Sequence, residues 1–153
     1  MRTAVARTTL TGMHDARRQA TGILLVDRRG FSRSALAGLL RSISGVQLLG
    51  ETVDGDALGG ALVAQRPDVL IVDDRVLPVV LANDHAAGLR LIVVGVDDDP
   101  GYAARAARAG AEAWVEKDRA ASLLPPLLWN PRVVSAPHRG PTRHPGAALG
   151  SER

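Results

Sequence analysis

The sequence predicts an α/β fold, a doubly wound five-stranded parallel sheet, and three observations predict it. Five short apolar runs recur between residues 22 and 128. They alternate with segments whose apolar residues follow the helical period. Turn and cap residues punctuate the boundaries. Such alternation specifies a parallel sheet with right-handed crossovers that place helices on both faces.

The elements follow in order. Ile23-Leu24-Leu25-Val26 is continuous apolar sequence ending at Asp27, as expected of a strand buried on both faces. Leu36, Leu39, Leu40 and Ile43 then fall at i, i+3, i+4 and i+7, a helix for which Ser32 is the expected cap. Residues 46–50 read as the second strand. Asp54 or Asp56 caps a helix running to about Gln65, which Pro67 terminates. Val69-Leu70-Ile71-Val72 is the third strand and ends in Asp73-Asp74. The 16 residues 74–89 suffice for a crossover, although they leave room only for a shortened third helix. Leu91-Ile92-Val93-Val94 ends in Gly95. Asp99-Pro100 is a cap followed by proline at the first helical position, and Gly110 suits the residue just beyond that helix. Ala113-Trp114-Val115 is a short fifth strand ahead of Lys117, and the last helix, from about Ser122, is expected to be interrupted at Pro125-Pro126.

Composition bounds what this fold can do. The chain has 153 residues, 46% hydrophobic and 23% charged, the balance of one ordinary globular domain. It has no cysteine, which excludes disulfides, thiolate metal sites and cysteine nucleophiles. No apolar run approaches the roughly 20 residues of a membrane span. The opening MRTAVARTTL is broken by Arg7 and Thr8, so neither secretion nor membrane insertion is expected. The net charge of +3 conceals a division. Residues 1–21 and 129–153 carry +3 each, whereas 22–128 carries −3. A basic nucleic-acid face on the core is therefore not expected. Residues 1–21 read as a flexible basic arm, 22–128 as the folded domain and 129–153, rich in Pro and Gly, as a disordered tail.

Ligands of open α/β sheets bind beyond the carboxyl ends of the strands. The residues there are Asp27, Asp73, Asp74, Gly95 and Lys117, the last being the only Lys beside 18 Arg. Carboxylates and one ammonium should therefore share a crevice. The triplet Asp97-Asp98-Asp99 reads instead as a solvated loop and helix cap. His14, His85, His138 and His144 lie without ligand spacing.

Three runs, GE-x-x-DG from Gly50, PDVLIVD from Pro67 and RAGA-x-x-W-x-x-KD from Arg108, stand here at matching spacing. Together they resemble the receiver module of bacterial two-component response regulators over about residues 22–128, closest to the branch that usually carries a C-terminal helix-turn-helix. The resemblance implies the flavodoxin-like receiver fold, a bacterial cytoplasmic setting and a phosphoacceptor aspartate. Asp73 matches the acceptor, in preference to Asp74, because it stands six residues after Pro67. Asp27 matches the first acid of the Mg²⁺ pair, Lys117 the phosphoryl-pairing lysine and Trp114 the aromatic position three before it. Any Mg²⁺ would fall to Asp27 and Asp73.

The chain departs from that pattern in the proline after the acceptor, Pro78, which lies five residues after Asp73 where the family has four, and at two site positions. Arg28 stands where the second acid belongs, and Gly95 where a hydroxyl belongs. At ~6 Å and an effective dielectric of ~20, one unit charge acts on a divalent ion by about 5 kcal/mol before screening. An inward Arg28 would thus repel the metal or pair with Asp73 in its place, whereas an Arg28 turned to solvent would relieve most of that penalty and still leave a ligand missing. These departures predict a stand-alone, degenerate receiver that works by binding a partner protein or a second copy, with weak or absent phosphorylation and little use for Mg²⁺. The face implied by the resemblance is the fourth helix, fifth strand and fifth helix, with Tyr102, Trp114, Leu123 and Leu124 on or near it. A second reading is a phosphorylatable regulator, fed by a histidine kinase through Asp73, that controls transcription. The Pro- and Gly-rich residues after the last helix are too few for a helix-turn-helix, so direct DNA binding is not expected. A third is a Mg²⁺-dependent phosphohydrolase with Asp73 as nucleophile, but Arg75 occupies the general-acid position and holds its proton. No enzyme activity is expected.

Overall fold

A computed structural model describes residues 20–53, 55–96, 99 and 101–129. Apart from their inner ends, the arm and tail expected at 1–21 and 129–153 lie outside the described residues, as do Asp97 and Asp98. Five strands, β1 (Thr21–Val26), β2 (Val46–Thr52), β3 (Val69–Asp73), β4 (Arg90–Gly95) and β5 (Ala113–Glu116), form one sheet in the order β2-β1-β3-β4-β5. All neighbours pair in parallel. The β1–β2 pairing shifts register between Ile23 and Leu24, whose partners are Leu48 and Gly50.

Helices cover both faces because the strands are apolar on both. α1 (Gly30–Ser42) and α5 (Ala120–Trp129) bury Leu36, Leu40, Leu124 and Leu127 against Ile23, Leu25, Ile71 and Val94. On the other face, α2 (Gly55–Gln65), α3 (Leu77–Leu81) and α4 (Gly101–Arg108) bury Leu58, Leu62, Val80, Tyr102 and Ala106 against Leu24, Val72 and Val93. Consecutive strand residues thus feed two separate cores.

The third helix is short, as expected: five residues between 3₁₀ turns at Asp74–Val76 and Asp84–Ala86. Val76, Leu77 and Val80 nevertheless seal the sheet beneath it. A cleft of about 410 Å³ remains beside its end, bordered by Leu81, Ala86, Leu91 and Gly110.

Two expectations are corrected. Ser32 does not cap α1; the cap position is Arg29, which makes no side-chain cap bond. The helix starts earlier because Asp27 accepts the Arg29 backbone N–H and turns the chain at once. α5 is not interrupted at its prolines but runs through Pro125 and Pro126. An interior proline costs roughly 3 kcal/mol. Leu124, Leu127 and Leu128 are almost wholly buried, each worth about 1.5–3 kcal/mol, and their combined burial is of the size needed to offset the two prolines.

Candidate functional site

The register of β1 and β3 sets the site. Val26 lies opposite Val72, so the next residues, Asp27 and Asp73, leave the sheet side by side. Both are buried, and two unpaired buried carboxylates would be costly. Lys117, the first residue beyond β5, reaches between them. Its Nζ lies 2.9 Å from Asp27 Oδ2 and 2.5 Å from Asp73 Oδ2. It also donates to Ser32 Oγ at 2.6 Å, and Ser32 donates in turn to Asp27 Oδ2 at 2.7 Å. An ammonium has three N–H donors, and here each has an oxygen.

The remaining oxygens are engaged as well. Asp27 Oδ1 accepts the Arg29 backbone N–H at 2.8 Å, and the Asp27 carbonyl accepts from the Arg33 guanidinium at 3.1 Å. Asp73 Oδ1 accepts the Arg75 backbone N–H at 2.9 Å. Burial pushes the Asp73 carboxyl above the usual carboxylate range; Lys117 opposes this, and the charges of Asp27 and Asp74 add to it.

This direction fixes the sign of a pH effect. A group whose value is raised on folding contributes its stability below the unfolded value and loses it as pH rises through the folded one. Asparagine resembles the protonated acid at every pH. The stability of Asp73→Asn relative to wild type should therefore rise between about pH 4 and pH 7, read by urea unfolding at several pH values. A difference that stays constant across that range would contradict a raised Asp73.

Asp74 is also buried but belongs to a different contact. Arg105 of α4 holds it bidentately through one edge of its guanidinium, with Nε 3.0 Å from Oδ1 and an Nη on Oδ2. The same Nη lies 2.6 Å from Asp99 Oδ2. Asp99 Oδ1 accepts the Gly101 N–H at 3.0 Å, capping α4 as the sequence predicts. Arg105 holds the Asp99 carboxyl below its ordinary range, with the Gly101 N–H assisting.

The other predicted positions divide. Arg28 is exposed and joins neither acid; the inward orientation and the pairing with Asp73 are not adopted. Arg29 and Arg75 line the recess with Asp73, Asp74, Gly95, Asp99 and Lys117. Gly95 lies under the Tyr102 ring: a Cβ there would stand 2.5 Å from a ring carbon. Trp114, opposite Val93 on β5, is partly buried against the core that includes Tyr102 and Ala106. Tyr102 and Leu124, expected on or near a partner face, point into the cores, because each lies on the sheet-facing side of its helix. Leu123 and Trp114 are only partly covered.

These residues do not fit a Mg²⁺ ion well. Mg²⁺ wants near-octahedral oxygen ligands. The second acid is absent, both Asp27 carboxylate oxygens already accept hydrogen bonds, and Lys117 spans Asp27 and Asp73. The recess holds about 10 Å³, roughly the space of a single water. Among the described residues, no group of three or more His, Cys, Asp or Glu side chains could hold a metal.

Two site residues are not evident from sequence reasoning. Ser32 reads as a cap, yet its place on the first turn of α1 turns its hydroxyl towards Asp27 and Lys117. Arg105 has a weak signal: it stands three residues after Tyr102, on the same side of one helix. Its partner Asp74, just beyond β3, is 31 residues away and follows only from the packing.

No protein-family model and no curated protein matches the chain. Solved structures do. The isolated REC domain of RcsB from Salmonella enterica serovar Typhimurium, in its apo form, superposes with a TM-score of 0.62 at 23% identity, covering 71% of this chain and 85% of that one. The response regulator ChrA of a heme-sensing two-component system gives 0.63 at 21% identity, covering 78% and 61%. The signal receiver domain of the putative response regulator NarL from Mycobacterium tuberculosis gives 0.56 at 24%, covering 65% and 86%. Against a longer RcsB chain from Salmonella typhimurium, the match spans 59% of that chain's length. The element order, the parallel sheet and these superpositions together establish that the chain has the fold of response-regulator receiver domains.

Proposed function

We propose that the chain is an atypical response-regulator receiver module that signals by binding a partner protein, with Asp73 in the acceptor position but weakly phosphorylated or not at all. One observation carries this reading. The Lys117 ammonium is shared among Asp73, Asp27 and Ser32, and so takes the place of a cation between the two acids. A phosphoryl group on Asp73 would have to break that arrangement, with no second acid for a metal and no hydroxyl at Gly95 to receive it. Partner binding is consistent with the complex of the CheA3 P1 domain with CheY6 from R. sphaeroides, a receiver-fold neighbour at 17% identity. Phe31, in the first turn of α1, is 92% exposed, an aromatic contact for such a partner.

The test is exposure to acetyl phosphate, read by intact mass, and to beryllofluoride, read by fluorine NMR, over a Mg²⁺ titration into the millimolar range. Wild type and Asp73→Asn should behave alike, showing neither adduct nor bound fluoride. Mg²⁺-dependent binding that disappears in Asp73→Asn would favour the second reading, a phosphorylatable regulator with Asp73 as acceptor.

A further inference from the structure

We propose that α4 is latched to the carboxyl ends of β3 and β4 by contacts along the α4 side of the acceptor crevice, and that this latch fixes the α4 face in one conformation. It has two parts on one side of the helix. Tyr102 lays its ring over Gly95, the last residue of β4, and is almost wholly buried. One turn later, Arg105 grips Asp74, just beyond β3, with the Nε–Nη edge of its guanidinium and reaches back with the same Nη to Asp99 at the start of its own helix. Ala106 completes the seated face.

The geometry makes the parts interdependent. Tyr102 can leave Gly95 only if the first turns of α4 lift, and lifting them pulls Arg105 off Asp74. Arg105 is half-exposed, but Asp74 is not. Opening the latch would strand a buried carboxylate, a larger penalty than loss of a surface ion pair. Asp99 adds a third hold by accepting both the Gly101 N–H and the Arg105 guanidinium. No hydrogen bond or ion pair joins Arg105, Asp74 or Asp99 to Lys117 or Asp27, so the latch has ion-pair partners of its own beside the acceptor. A partner that reads the α4 surface would find it already set.

The experiment is amide hydrogen exchange across α4 in the full chain, comparing wild type with Arg105→Gln, which keeps the side chain's length and loses its paired donors. Exchange over residues 103–108 should rise by at least about threefold, while that of β1 and β3 stays unchanged. If α4 exchange is unaltered, the latch is overturned. If all segments accelerate together, the clamp supports global stability instead of holding α4, which also overturns it. Asp99→Asn, which leaves the buried Asp74 contact in place, serves as the milder variant and should give a smaller rise confined to α4. The same measurement with acetyl phosphate and Mg²⁺ separates the two proposals. An adduct with α4 exchange unchanged would refute the reading of Asp73 and leave the latch standing.

Discussion

Replacing Lys117 with Met should destabilise the domain by about 3–5 kcal/mol at neutral pH. Methionine retains much of the apolar stem and removes the charge, so the loss reports the ammonium. Without it, Asp27 and Asp73, both buried, face one another with no counter-charge. The Asp73 carboxyl, already above its usual range from burial, should move higher still. Its sign follows from linkage: an acid whose value rises on folding favours the folded state at low pH and loses that advantage as pH increases. The deficit of Lys117→Met should therefore be largest near pH 7 and shrink as pH falls towards about 4. Urea unfolding at both pH values checks it. A loss below about 1 kcal/mol at pH 7 would mean that the triad behaves as a solvated surface pair.

Gly95→Thr should cost about 1–3 kcal/mol through overpacking, although threonine suits a strand better than glycine does. A Cβ at this position would lie 2.5, 2.6 and 2.9 Å from three carbons of the Tyr102 ring. A ring is rigid and cannot give way at one end as a lysine can. It must move as a body, and it is seated in the core beneath α4. The decisive comparison is the double variant. Tyr102→Ala alone leaves a cavity, but in the Gly95→Thr background it removes the clash. The two changes should therefore be non-additive by more than about 1 kcal/mol. Additivity within about 0.5 kcal/mol would show that the ring does not constrain position 95.

β1, β3 and β4 are legible in the sequence because a strand buried on both faces leaves an uninterrupted apolar run, as Ile23–Val26, Val69–Val72 and Leu91–Val94 do, whereas the edge strands β2 and β5 are only partly buried and stand out by their spacing between helical segments. Asp27, Asp73 and Lys117 were legible for a related reason: residues that end parallel strands emerge on one edge. The start of α1 was not, because an aspartate preceding it, Asp27, bonds the backbone in place of a cap on the helix, freeing Ser32 for Lys117. The prolines of α5 misled because propensity is local, whereas the burial that overrides it comes from a distant sheet. Arg28 left two orientations open, and the choice of solvent depends on Lys117 already holding the place between the acids. The resemblance puts Tyr102 and Leu124 on the elements of a partner face but does not say which side of a helix a residue occupies, and both turn into the cores.

The break in the β1–β2 register bears on how this molecule can meet other chains. An open strand edge is a template on which a foreign strand can grow. β2 lies at one edge, but its pairing skips Leu49, and its Glu51 is tied to Arg33 and Arg41. β5, at the other edge, offers only four residues. Neither edge presents the long, regular ladder that strand addition requires. Aggregation by edge-to-edge growth is thereby discouraged, and a foreign strand finds a poor template at either side of the sheet.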